Sequence, residues 1–239
     1  MRLMRTHTLR IIAFLLDYPR PETIAAAQDM RIALRQEGWL AAGTLAALDS
    51  FMQWAEEREL MDLQEEYVAL FDRTPSLSLH LFEHVHGDSR DRGQALVELD
   101  TLYRERGLEN ASEHTPDYLP MFLEYLSLLP VEQARESLDG AVDVIAVIGE
   151  RLKKRGSPYA ALFGALEEAA ARRPDMKKLQ SALKADAGMP LSADQMDSAW
   201  EEQFAFANMQ QQEQGGGCPQ AEEMLARMGL PATDKEKRA

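Results

Sequence analysis

From Val131 to Leu152 the apolar residues Val131, Ala134, Leu138, Ala141, Ile145, Ile148 and Leu152 recur every three or four positions. That spacing keeps one apolar stripe on a helix for roughly six turns, and no strand has this period. Val142, Val144 and Val147 come nearest to a strand signal, yet the stripe around them is helical. The same period recurs along the chain. Leu9, Ile12, Ala13 and Leu16 share a face, as do Leu63, Tyr67, Leu70 and Phe71. Ala95, Leu99, Leu102 and Tyr103 form another stripe, and Tyr118, Met121, Phe122, Tyr125 and Leu129 a strongly apolar one. No run alternates with period two between turn signals. The pattern predicts an all-α fold, a single compact bundle-like domain of about ten helices joined by short loops.

Helix starts are read from capping chemistry. Asp62 with Glu65 and Ser192 with Gln195 have capping-box spacing. Ser157-Pro158 reads as an N-cap and first-turn proline ahead of Leu162 and Leu166. Two segments break the periodicity. Arg73 to Asp88 is long and polar, with Pro75, three histidines and Gly87, and such connections are often functional. Gln210 to Gly217 is low-complexity, so residues 1–209 are expected to form the helical domain. Residues 210–239 are expected to form a mostly disordered tail, with a short helix from Pro219 to Met228.

Charge narrows the partners. The formal net charge is -14, from 40 acidic and 26 basic residues. Such a surface repels nucleic-acid phosphate and anionic lipid and attracts a basic peptide. Cys218 is the single cysteine, which excludes a disulfide framework and fits a reducing compartment. Arg2, Arg5 and Arg10 precede the apolar run Ile11–Leu16, but the run is short and ends in Asp17-Tyr18-Pro19-Arg20. That is neither a signal peptide with a cleavage site nor a membrane span, and it predicts a cytoplasmic protein.

Chemistry-bearing residues cluster in two places. His80-Leu81-Phe82-Glu83-His84 matches the H-x-x-E-H pattern in which two histidines hold zinc and a glutamate acts as base. The match is three residues in five, and it makes a zinc hydrolase on His80, Glu83 and His84 the alternative to weigh. His84 and His86 share a face if the segment is extended, and hydrogen bonds to carboxylates or backbone are their expected use. Asp88 is an N-cap candidate and Asp91 suits a first helical turn. Arg90 and Arg92 gain nothing from a helix N-terminus, so they call for carboxylate partners or a ligand. Further on, Asp117 and Glu124 are seven apart, two turns along one helix face, beside Tyr118, Phe122 and Tyr125. Carboxylates for guanidinium and aromatics for an apolar face suit an Arg-bearing amphipathic peptide. There is no nucleotide-cradling glycine motif and no G-x-S-x-G, so no cofactor and no catalytic residue is assigned.

Four ordered blocks carry a family resemblance: Tyr67 to Arg73 (YVALFDR), Leu81 to Ala95 (LFEHVHGDSRDRGQA), Pro116 to Leu126 (PDYLPMFLEYL) and Trp200 to Gln203 (WEEQ). The chain resembles the assembly chaperones of respiratory nitrate reductase, the NarJ type within the wider TorD/DmsD family of molybdoenzyme maturation chaperones. The resemblance runs from about Leu9 to about Phe204. It implies an all-helical, non-enzymatic cytoplasmic chaperone that stays out of the final enzyme. Its implied partner is the apo catalytic, molybdenum-containing subunit of nitrate reductase, including a basic N-terminal segment. The chaperone keeps that subunit competent for molybdenum cofactor insertion before membrane anchoring, alongside the proteins that make the cofactor. The peptide site expected on this reading comprises His84, His86, Asp88, Arg90, Arg92, Asp117, Tyr118, Phe122, Glu124 and Tyr125.

Overall fold

The structure is a computed structural model, and it describes residues 7–86, 90–109 and 114–185. Eleven α-helices occur among them: α1 (His7–Leu16), α2 (Pro21–Ala25), α3 (Ala27–Glu37), α4 (Ala42–Glu56), α5 (Leu60–Tyr67), α6 (Glu83–His86), α7 (Arg90–Glu105), α8 (Leu119–Leu126), α9 (Val131–Lys154), α10 (Ala160–Ala169) and α11 (Met176–Ala185). A π turn at Val68–Asp72 extends α5, and a single 3-10 turn spans Pro75–Leu77. The fold is all-α, as the periodicity predicts. The stripes named from the sequence do not include α2, α3, α4, α6 or α11; α2 and α6 are too short to display one. The expected helix opening at Ser192, with Trp200 and Phe204, lies outside the described residues, as do the tail and Cys218.

The long helix α9 runs through the core, with Ala134, Leu138, Ala141, Ile145, Ile148 and Leu152 fully buried. Its neighbour α10 packs on it closely enough to favour glycine at one position. A Cβ on Gly149 would lie 3.0 Å from Phe163 Cβ and 3.3 Å from a Glu167 carboxylate oxygen. On the other side of the core, α1 packs against α3, α8 and α10. Seven of the ten α1 residues are buried, from Thr8 to Leu16. A helix apolar nearly all round is a core helix, which explains why this run superficially resembles a targeting segment. Among the described residues no helix is long and apolar enough to cross a membrane.

The helix ends correct part of the local reading. Glu59 precedes α5, so Asp62 lies inside the first turn and no side-chain cap bond forms there. An acid in that turn still complements the helix dipole. Ser157-Pro158 does not cap α10 directly. The pair forms a turn before it, with Ala160 N donating to Ser157 O (3.1 Å) and Ala161 N to Pro158 O (3.1 Å). The Ser157 hydroxyl is buried without a hydrogen-bond partner. The first amides of α1 are capped from far away: Glu37 accepts from His7 N at 3.0 Å and Thr8 N at 2.6 Å.

Candidate functional site

The connection from Arg73 to His86 is polar in composition but folded into the core. Leu77, Leu79, Leu81 and Phe82 are at most 2% exposed. Its backbone pairs antiparallel with the entry to α8. Leu119 N donates to Leu79 O (2.8 Å), Leu81 N donates to Asp117 O (3.0 Å), and His80 bridges to Tyr118. Asp117 closes this junction. Its side chain is 0% exposed and accepts from Phe82 N at 3.0 Å and from the Thr115 hydroxyl, with His80 Nδ1 at 3.4 Å. Burial pushes the Asp117 carboxyl up, but the hydrogen bonds from His80, Thr115 and the Phe82 amide outweigh it. The group is held below its ordinary value.

This geometry corrects the expected acidic and aromatic surface. Asp117 precedes α8, so it does not stack with Glu124, which is exposed on the helix. Tyr118, Phe122 and Tyr125 are 6%, 0% and 3% exposed and belong to the core. The reason is the packing around α8, which buries six of its eight residues and leaves Glu124 to solvent. Tyr125 lies against Tyr103, with ring centroids 4.9 Å apart, and the Tyr103 hydroxyl donates to Pro116 O. Tyr118 reaches across to α1 and α5. Its hydroxyl donates to Asp17 Oδ1 (3.2 Å) and lies 2.8 Å from the Tyr67 hydroxyl, which is 3.1 Å from Leu16 O. Burial is the main reason both phenols titrate well above the ordinary tyrosine range, so they serve as neutral hydrogen-bonding struts.

The histidines separate as well. α6 is helical, so the extended backbone on which His84 and His86 were expected to share a face does not form. His84 Nε2 donates to Ser78 O at 2.8 Å, and burial pushes the imidazole pKa down. Glu83 is exposed and accepts from Arg92 at 3.0 Å, so Arg92 has the carboxylate partner it called for. The side chains of His86, Arg90 and Asp91, and all of Asp88, lie outside the described residues. The zinc-hydrolase arrangement is not supported: His80, Glu83 and His84 turn to three different partners. Among the described residues no group of three or more His, Cys, Asp or Glu converges as metal ligands would.

A surface that the sequence reading passed over lies on α5. Tyr18, Met61, Asp62, Glu65, Glu66 and Arg73 line an open cleft of about 740 Å³. Met61 is 69% exposed and Tyr18 39%, both large apolar side chains beside three carboxylates. The Tyr18 ring meets Tyr67 edge-on at 5.6 Å, which ties this surface to the Tyr67–Tyr118 pair. The available signal was the far side of the Leu63–Tyr67 stripe, where Met61, Asp62 and Glu65 fall.

Fold and surface together define an all-helical protein whose buried polar groups join its helices and whose open cleft is acidic and partly apolar. Comparison with known proteins gives the particular kind. The family described as nitrate reductase delta subunit matches residues 28–165. The chain is 38% identical over 195 residues to the nitrate reductase molybdenum cofactor assembly chaperone NarJ of Escherichia coli K12, covering 82% of each. It is 40% identical over 158 residues to the probable chaperone of the same description, NarW, from that organism, covering 66% of this chain and 65% of the relative. A crystal structure of a putative redox enzyme maturation protein from Archaeoglobus fulgidus aligns with a TM-score of 0.49 at 19% identity, over 67% of this chain and 90% of that one. The chain belongs to the nitrate reductase delta subunit family.

Proposed function

We propose that the chain is the assembly chaperone of a nitrate reductase. It binds the apo catalytic subunit in the cytoplasm and keeps it competent for molybdenum cofactor insertion before membrane anchoring. It is not a catalyst. The observation that carries this reading is family membership together with 38% identity, over four-fifths of both chains, to a molybdenum cofactor assembly chaperone. A strain lacking the gene is expected to make the reductase subunits with a catalytic subunit poor in molybdenum. Elemental analysis of that subunit measures this, and normal molybdenum content with normal nitrate reduction overturns the reading.

The basic N-terminal segment of the catalytic subunit docks on the α5 cleft. Support comes from charge and form: Asp62, Glu65 and Glu66 lie beside exposed Met61 and Tyr18, on a chain of net charge -14. The Pro116–Leu126 segment acts from behind, through Asp117 and the Tyr118–Tyr67 contact. Asp62→Lys with Glu65→Lys is expected to weaken the peptide at least tenfold, from charge-assisted contacts of about 1.5–3 kcal/mol. Because both acids are exposed, thermal stability changes little. Calorimetric titration with the synthetic peptide at two salt concentrations tests it. Unchanged affinity, with loss on Glu124→Lys instead, moves the site to α8.

A further inference from the structure

The charges along the α5 cleft are ordered. Asp62, Glu65 and Glu66 lie on α5 itself, whereas Arg73, the one cation of the lining among the described residues, follows the π turn that extends it. Seven to eleven positions separate Arg73 from these acids. That is roughly 10–16 Å along a helix at about 1.5 Å per residue. Between the two ends the lining is apolar, with Val68 and Ala69. The cleft is bipolar, acidic over α5 and cationic at its far end.

Neither end is spent within the chain. Among the described residues Asp62, Glu65 and Arg73 form no ion pair, and Glu66 alone of the four has a partner, Arg58 at 3.8 Å. Asp72, next to Arg73 in sequence, is exposed and does not line the cleft. The backbone that carries Arg73 is fixed. Arg73 N donates to Val68 O at 3.0 Å, and the hydroxyl of buried Thr74 donates to Ala69 O at 2.9 Å. Phe71 holds the same turn in the core. Single π turns recur at functional sites, and this one delivers Arg73 to the cleft.

A site that only gathered basic residues would be weakened by that guanidinium, since like charges repel across a few ångströms. An unpaired cation at the far end of an acidic cleft selects among basic segments instead. It rejects those that are basic throughout and accepts those with an acid in the matching place, which is discrimination by repulsion as well as by attraction. Guanidinium and carboxylate pair bidentately, so position counts as well as sign.

We propose that Arg73 is the specificity-determining residue of the α5 cleft. The segment that docks there is an amphipathic helix with bases over Asp62 and Glu65 and one acidic side chain, two to three turns away, paired with Arg73. This rests on the α5 docking surface proposed above.

Calorimetric titration of the full chain with the synthetic N-terminal peptide of the cognate catalytic subunit tests it by charge exchange. Each acidic residue of the peptide is changed to Lys in turn. One such change is expected to weaken binding to the wild-type chain about tenfold, and Arg73→Glu is expected to recover most of that loss for the same peptide and no other. Arg73 is exposed, so the melting temperature of the variant is unchanged. Raised salt reduces the difference between the peptides. A cognate segment without an acid overturns the assignment of Arg73. So does a peptide series in which no change to Lys weakens binding, and so does a weakened peptide that Arg73→Glu fails to rescue. Asp62→Lys with Glu65→Lys separates these results from failure of the docking surface. Affinity lost on that variant keeps the surface while the assignment falls, and unchanged affinity removes both.

Discussion

Asp117→Ala is expected to destabilise the protein by about 3 kcal/mol, because it orphans the buried Phe82 amide and the Thr115 hydroxyl at once. For a domain of this size that is roughly 6–12 °C in melting temperature. Asp117→Asn retains the shape and one acceptor, so it should lose less. The pH dependence follows from the direction of the shift. The folded-state pKa of Asp117 is lowered, so its contribution is fully present above the unfolded value of about 3.9. It is lost as pH falls through the lower folded value. Melting temperatures of wild type and Asp117→Asn should therefore converge below about pH 4 and separate above it. The measurement is thermal unfolding from pH 3 to pH 7. A variant with wild-type stability and lost peptide affinity would return Asp117 to the partner surface.

Phe122→Ala is expected to cost about 3–5 kcal/mol, since the ring is 0% exposed and its removal leaves a cavity between packed helices. Phe122→Leu retains most of the volume and should cost under about 1.5 kcal/mol. Urea unfolding measures both as a shift in midpoint at constant slope. Affinity for the peptide should match wild type when compared at equal folded fraction. Wild-type stability with weakened peptide binding is the opposite result, and it would place the ring in the binding surface.

Both predictions concern residues that their neighbours in sequence present as surface groups. Pro116-Asp117 ahead of an apolar run reads as a helix start with a solvated acid. Asp117 becomes a buried acceptor only because Leu79 to Phe82 folds back antiparallel to it, 35 residues away along the chain. The stripe of Tyr118, Phe122 and Tyr125 is legible in sequence, but periodicity cannot say whether it meets the core or a partner, and packing buries it. The H-x-x-E-H spacing is a similar case. It has the spacing of ligands on one helix, whereas His80 lies in the antiparallel bridge to Tyr118 before α6 and only Glu83 and His84 are helical.

By itself the sequence determined the all-α class, the stripes of α1, α5, α7, α9 and α10, the acidic balance and the family. These features follow from covalent geometry and from residues three or four apart, so a linear reading reaches them. The tertiary structure alone decided which polar groups are spent inside. It brought Glu37 to the first turn of α1, 29 residues from Thr8, and Asp143 to the start of α11. It also set the approach of Phe163 to Gly149, where an added Cβ would lie 3.0 Å from Phe163 Cβ and the neighbours would have to give by a few tenths of an ångström. The acids and exposed apolar groups that line the α5 cleft are scattered among polar positions along the chain. Periodicity records which residues face the core, and those that face outward become neighbours only when separate helices pack.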